Sequence, residues 1–280
     1  MAMSNSLHPP YGTYALPPTR EAWRQKAARF ADTRLGRLRI SHARKKALAG
    51  EIGPFDVEVE PGVHARLYPT GNRCEKRAFA GPQSFDPVER KYLQNAVNAG
   101  GEAPFVFLDI GANVGLYSLY VNAYAKQAKR PTRIIAIEPG QETGARLDAN
   151  IAASNANIEV LRVAISDDVG TGNLGGGERN RGEAHLGEHS GKSEPVVIET
   201  LPRIATMLRL THIDAIKIDI EGHDYKALSK FFKDAQTALH PKLLIAETGI
   251  LPNSPMIELC VENGYKRVDR TPLNTIFEKI

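Results

Sequence analysis

Between residues 105 and 263 the chain alternates short Val- and Ile-rich runs with helix-length stretches, and this alternation constrains the fold more than any other feature. The runs are Phe105–Ile110, Arg133–Glu138, Ile158–Ile165, Ile213–Ile220 and Lys242–Glu247. Helical stretches fall near 114–128, 140–154, 201–209, 222–238 and 254–263. Short apolar runs, each followed by a helix, are the mark of βαβ units, whose parallel sheet is covered on both faces. At the end of the chain Tyr265–Asp269 and Asn274–Lys279 flank Arg270-Thr-Pro-Leu with no helix between them. That pattern predicts an antiparallel hairpin at the sheet edge. The expected class is α/β, a doubly wound and mostly parallel sheet.

The N-terminal hundred residues follow other rules. Residues 1–19 carry Pro9, Pro10, Pro17 and Pro18, which block helix and ladder alike, and are expected to form a flexible arm. From Glu21 to about Leu48 the composition favours one helix, with Trp23, Ala27, Phe30, Leu35 and Leu38 on an apolar face. Residues 55–67 alternate apolar and polar around Pro61-Gly62, the signature of a β-hairpin. Residues 87–98 then read as a short helix ended by Gly100-Gly101. The expected organisation is an arm over 1–19, an extension over 20–103 and an α/β domain over 104–280.

Charge narrows the choice of partner. Residues 20–49 hold ten Lys or Arg against Glu21 and Asp32, a local charge of +8 in a chain whose formal charge is +4. The remainder therefore sums to −4, and the alkaline pI comes from one segment. A nucleic-acid protein more often spreads basic charge over its binding domain, so no nucleic-acid partner is expected. The helix is read as a docking helix with a solvated basic back, and a resting place on an anionic partner or membrane surface is the sharper alternative. Cys74 and Cys260 are the chain's two cysteines, which implies no disulfide framework and fits a reducing, cytoplasmic setting. No stretch approaches the ~20 apolar residues of a membrane span.

Residues 169–193 contain eight glycines and few apolar side chains, so a mobile Gly-rich loop is expected there. His185 and His189 stand four apart within it, but Gly182, Gly187 and Gly191 oppose a helix, and no metal site is expected.

In open α/β sheets ligands bind beyond the carboxyl ends of the strands. The first strand ends in Asp109-Ile-Gly-Ala-Asn-Val-Gly115. Gly111 suits a tight turn and Gly115 a close helix packing, and a helix N-terminus there offers amides to an anionic group. Asn113 stands where a dinucleotide enzyme needs a second glycine, which disfavours a dehydrogenase. Glu138, 23 residues past Gly115 at the next strand end, is placed to hold both hydroxyls of a ribose. The third strand ends in Ala164-Ile-Ser-Asp-Asp168, where Asp167 or Ser166 could meet an adenine edge. In the fourth, Lys217, Asp219 and Glu221 share one face of an otherwise apolar strand, a costly arrangement unless paired or functional.

With DIGANVG (109–115), IEP (137–139), AISDD (164–168) and KIDIEGHD (217–224) in this order, the chain resembles the FkbM-type methyltransferases, Rossmann-like enzymes that use S-adenosylmethionine. LLIAET (243–248) is similar to the family's fifth strand, and the resemblance spans about residues 104–280. It departs from the family at Thr200-Leu-Pro202, where the third residue is usually Asp, and at Asp224, usually Glu. The resemblance implies methyl transfer to a hydroxyl, in many relatives on a sugar or polyketide, so the expected partner is a small-molecule hydroxyl acceptor. It implies that Asp109, Gly111, Ala112, Asn113 and Gly115 hold the methionine end of the cofactor. Glu138 and Pro139 would meet the ribose, Ile165 and Asp167 would line the adenine pocket, and Asp219 would face the sulfonium or amino group. Glu221 and His223 are the candidates for orienting and deprotonating the acceptor. Carboxylates at 219, 221 and 224 could take a divalent ion, although nothing in their spacing demands one. Methylation of a nitrogen, or of an anionic macromolecule gripped by the basic helix, is the alternative.

Overall fold

The computed structural model describes residues 9–101, 103–176, 184–186, 193–249 and 254–280. Its backbone divides into two compact units, Met1–Pro87 with Asp148–Ala156, and Val88–Leu147 with Asn157–Ile280.

The first unit contains α1 (Pro18–Ala28), α2 (Arg34–Leu48), β1 (Phe55–Glu60), β2 (Val63–Leu67) and α3 (Arg73–Phe79). The sequence predicts one long helix here, and the structure breaks it in two. Thr33 is the reason: its side chain accepts from the Gly36 amide at 3.1 Å and starts a new helix. Gly36 permits the sharp return, because a Cβ there would come within 1.8 Å of the Ala31 carbonyl oxygen. The break also turns α2 so that Gly36, Ile40, Ala43 and Ala47 are buried. Leu35 and Leu38, assigned by sequence to the apolar face, are instead 58% and 67% exposed.

The hairpin β1–β2 forms in antiparallel register around Pro61-Gly62, as predicted. Its buried pair, Arg66 and Asp56, corrects the expectation of a free arm. Asp56 Oδ2 accepts from the amides of Gly12 and Tyr14, at 2.8 and 3.0 Å. The Arg66 guanidinium donates to the carbonyls of Pro9 and Pro10 and lies 4.7 Å from the Tyr14 ring. Prolines that cannot join a ladder still offer carbonyls, and a buried arginine uses them. Residues 9–17 are therefore strapped to the hairpin, and residues 1–8 lie outside the described residues. Helix α3 escaped the sequence reading, although Asn72 and Glu75 mark its start: Asn72 accepts from the Glu75 amide at 3.2 Å.

The remaining elements follow in order: α4 (Pro87–Asn98), β3 (Phe105–Ile110), α5 (Leu116–Ala128), β4 (Thr132–Ile137), α6 (Gln141–Ala153), β5 (Glu159–Leu161), β6 (Ala164–Ile165), β7 (Gly170–Gly176), β8 (Ala184–Leu186), β9 (Ser193–Glu199), α7 (Leu201–Met207), β10 (Ala215–Ile218), α8 (Asp224–Asp234), β11 (Leu243–Glu247), α9 (Pro255–Glu262), β12 (Tyr265–Arg270) and β13 (Asn274–Lys279). The large sheet runs β12-β13-β11-β10-β3-β4-β5. Its five strands from β11 to β5 are parallel, and β13 and β12 add the predicted antiparallel edge. One face buries Leu108, Ile110, Ile135, Ile216, Ile218 and Leu244 against α7, α8 and α9. No helix among the described residues is long and apolar enough to cross a membrane.

The run 158–165, predicted as one strand, changes sheets: β5 pairs with β4, while β6 joins a second sheet ordered β6-β9-β7-β8. That second sheet corrects the expected Gly-rich loop over 169–193 where the residues are described, at 170–176, 184–186 and 193; residues 177–183 and 187–192 lie outside the described residues. Strands β7 and β9 pair antiparallel from Gly170 to Gly175. Ladder bonds need backbone only, and Leu174, Leu186, Val196 and Ile198 are enough to close a small core around Ala164. His185 falls on β8; His189 lies outside the described residues.

Candidate active site

After β3 the chain crosses to β4 and β5, then returns to the other side of β3 as β10. The carboxyl ends of β3 and β10 therefore form a switch point, where an open sheet leaves a crevice. Asp109 on β3 and Lys217 on β10 are register partners, and both are buried.

Beyond β3 the loop turns through positive φ at Gly111, Asn113 and Gly115, with values of 80, 52 and 86°. At Gly111 a Cβ would sit 1.9 Å from the Asp219 carbonyl oxygen, so only glycine lets the loop lie against the end of β10. The amides of Gly111 and Ala112 both donate to the Ile137 carbonyl, and Gly115 donates to Ala112. Asp109 Oδ2 accepts from the Ser118 amide at 3.0 Å and its hydroxyl at 2.6 Å, tying β3 to the first turn of α5. Burial pushes the Asp109 carboxyl up to about 6. The amides of Gly111, Ala112, Gly115 and Ser118 are thus engaged within the chain.

Glu138 is 8% exposed at the end of β4. Its Oε2 accepts from the Asn113 amide at 2.8 Å, and its Oε1 from the Gly140 amide at 2.9 Å and the Thr143 hydroxyl at 2.6 Å. Burial raises its pKa, opposed first by the bond from Thr143. A carboxylate has about four acceptor positions, so about one remains for a ligand hydroxyl. Pro139 follows, half-buried, and turns the chain toward α6.

An acidic cluster surrounds Lys217. Its Nζ lies 3.2 Å from Asp219 Oδ2, whose side chain is 40% exposed. Burial works against the charge on Lys217, but Asp219, Asp109 and Asp224 outweigh it and raise the pKa. Glu221 and Gly222 bend the chain through positive φ, and the buried Asp224 carboxylate accepts from the amides of Ile220 and Gly222. Glu221 is one of the non-glycine residues held in the left-handed region, a strain that clusters at functional sites. Glu247, at the end of β11, was missed by the sequence reading. Burial, then the charges of Asp219, Glu221 and Asp224, push its carboxyl up to about 7. An acid closing an apolar strand was the available signal. Among the described residues no three His, Cys, Asp or Glu side chains are grouped to share a metal ion.

His223 caps α8 and turns its Nδ1 to Ser166 Oγ at 3.0 Å; the same hydroxyl donates to Asp167 Oδ1 at 2.9 Å. Ile165 is buried beside them in sequence, and Asp167 is exposed. The structure thus links Asn113 to Glu138, Gly111 to the Asp219 backbone, and His223 to the Ser166–Asp167 pair.

Residues 109–266 match the methyltransferase FkbM domain. The methyltransferase sdnD of Sordaria araneosa is 30% identical, over 45% of this chain and 59% of its own. The AMB antimetabolite synthetase AmbE of Pseudomonas aeruginosa is 40% identical over 29% of this chain, which spans 4% of that protein. The chain thus spans under two thirds of either curated relative. Among solved structures, M. jannaschii TYW2 in complex with AdoMet aligns with a TM-score of 0.42 at 15% identity, over 82% of this chain and 89% of that one. A SAM-dependent methyltransferase from Agrobacterium tumefaciens aligns with a TM-score of 0.40 at 14% identity, over 69% and 60%. Because the domain match takes in more than half of the chain and runs from Asp109 on β3 past Glu247 on β11, the chain belongs to the FkbM methyltransferase family.

Proposed function

We propose that the chain transfers the methyl group of S-adenosylmethionine to a hydroxyl of a small molecule, such as a sugar or a polyketide. The observation that carries this reading is the concentration of carboxylates at one strand-end crevice: Asp109, Asp219, Glu221, Asp224 and Glu247 outnumber Lys217. Such a set favours a cationic ligand, and the remaining acceptor position of Glu138 suits a ribose hydroxyl. The residues fit the cofactor. Glu138 and Pro139 would meet the ribose, and Asp167 with Ile165 the adenine. Asp219 would face the positive end, beside the loop Gly111-Ala-Asn-Val-Gly115. Bound there, S-adenosylmethionine supplies an electrophilic methyl group on a sulfonium. The chain's task is to hold the acceptor oxygen in line, which is where positioning lowers the barrier most. His223 takes the proton that the hydroxyl loses as its oxygen is methylated, and Glu221 orients the acceptor. A cytoplasmic setting fits Cys74 and Cys260, which are not joined in a disulfide.

Thermal-shift titration with S-adenosylmethionine, S-adenosylhomocysteine and NAD is the direct test. A ligand at 100 times its dissociation constant stabilises by about 2.7 kcal/mol. The first two should raise the melting temperature, and a response to NAD alone would overturn the reading. Replacing Glu138 by Gln should weaken nucleoside binding by about 2 kcal/mol, the worth of a charged hydrogen bond. His223→Ala should abolish most methyl transfer while leaving that binding in place.

A second reading, transfer to a nitrogen or to an anionic macromolecule, draws on α2. Its 15 residues include Arg34, Arg37, Arg39, Arg44, Lys45 and Lys46 and no acid. Steep loss of substrate binding with added salt would favour it, and salt-insensitive turnover would exclude it.

A further inference from the structure

Ser166 Oγ joins two segments that are far apart in sequence. It lies 2.9 Å from Asp167 Oδ1 and 3.0 Å from His223 Nδ1, and its residue is 7% exposed. A serine hydroxyl has one proton and two lone pairs. The Asp167 carboxyl is held below the usual range by the bond from Ser166, with the charge of Lys226 adding to it. It is therefore ionised near neutral pH and can only accept. The single Ser166 proton goes to Asp167, and Ser166 can offer His223 nothing but a lone pair. Nδ1 must then carry a hydrogen to meet it. Neutral imidazole has one such hydrogen, so Nε2 keeps its lone pair.

We infer that Ser166 and Asp167 are positioning residues that lock neutral His223 in its Nδ1–H tautomer and leave Nε2 as the proton acceptor. The tautomer follows from the hydrogen bonds alone; its catalytic consequence rests on the reading of His223 as the base. A histidine in the other tautomer has a hydrogen where the acceptor's proton must go, and cannot take it. When Nε2 is protonated, the positive ring still donates through Nδ1 to Ser166, and Asp167 balances the charge through that hydroxyl. The proton moves from the acceptor oxygen to Nε2, while the Ser166 proton stays where it is. Asp167 Oδ2 takes no part in the bond to Ser166, so the relay is compatible with an adenine contact by the same side chain.

The test is nitrogen–proton correlation spectroscopy of the full chain, without cofactor, with ¹⁵N-labelled histidine. The His223 signals are those lost in His223→Gln. Wild type should show a protonated Nδ1 and a bare Nε2. Ser166→Ala should mix or reverse the tautomers, and Ser166→Thr, which keeps the hydroxyl, should restore them. Turnover of Ser166→Ala should fall roughly ten- to a hundredfold, part of what a general base contributes, with little change in KM for S-adenosylmethionine. Thr should rescue it. An Nε2–H signal in wild type, unaltered tautomers in Ser166→Ala, or undiminished turnover in that variant where His223→Gln is impaired, overturns the inference. If His223→Gln turns over like wild type while the tautomer results hold, the base assignment fails and the tautomer assignment stands.

Discussion

At Gly111 the main chain passes so near the end of β10 that one methyl group would collide with the Asp219 carbonyl oxygen. Neither partner in that contact is a side chain that can swing aside, and φ is +80° as well. Gly111→Ala should therefore cost roughly 2–5 kcal/mol of stability, read by urea denaturation, and should open the crevice. Glu247 makes a different prediction. Unfolding returns its carboxyl from about 7 to its ordinary 4.5. Between those values the folded chain holds more protons than the unfolded one, so stability falls as pH rises through this window. Asp109 adds a fall between 3.8 and about 6. Glu247→Gln should flatten the decline in melting temperature between pH 6 and 7, followed by calorimetry. Gly111 was legible in the sequence because a tight turn against a neighbouring strand demands one residue type at one place. Glu247 was not, because its raised pKa comes from burial and then from the charges of Asp219, Glu221 and Asp224, which only the folded sheet brings near.

The break between α1 and α2 depends on one local bond. Thr33→Ala removes the cap on α2 and should cost about 1 kcal/mol, measured by thermal unfolding. The strap over residues 9–17 depends on the buried pair Asp56 and Arg66, whose oxygen and nitrogen lie 2.7 Å apart. Asp56→Ala leaves Arg66 without its charge partner and the Gly12 and Tyr14 amides without acceptors. It should cost about 3–5 kcal/mol and expose residues 9–17 to limited proteolysis. These elements evaded sequence reading for physical reasons. Helical periodicity does not register a five-residue break, residues 29–33, and a proline-rich segment gives no hint of an arginine that binds its carbonyls. The Gly-rich strands were hidden likewise: β7 is held by ladder bonds to β9, and backbone hydrogen bonds leave little trace in side-chain pattern.

Across the whole molecule, charge is segregated: +8 in residues 20–49 and −4 elsewhere. Arg37, Lys45 and Lys46 are exposed on α2. Changing all three to Gln lowers the formal net charge from +4 to +1. The variant should leave a cation-exchange column at markedly lower salt, with a stability change within about 1 kcal/mol. The alternation of strand and helix, the C-terminal hairpin and the family of the chain were determined by the sequence itself. Each is carried by periodicity or by residue types bound to a turn, and both are local properties. The tertiary structure alone decided that Glu247 meets Asp219, that Ser166 joins Asp167 to His223, and that Gly170–Gly175 pair with β9. Those outcomes depend on which distant segments share a space, and on which hydrogen bonds are left to be satisfied once they do.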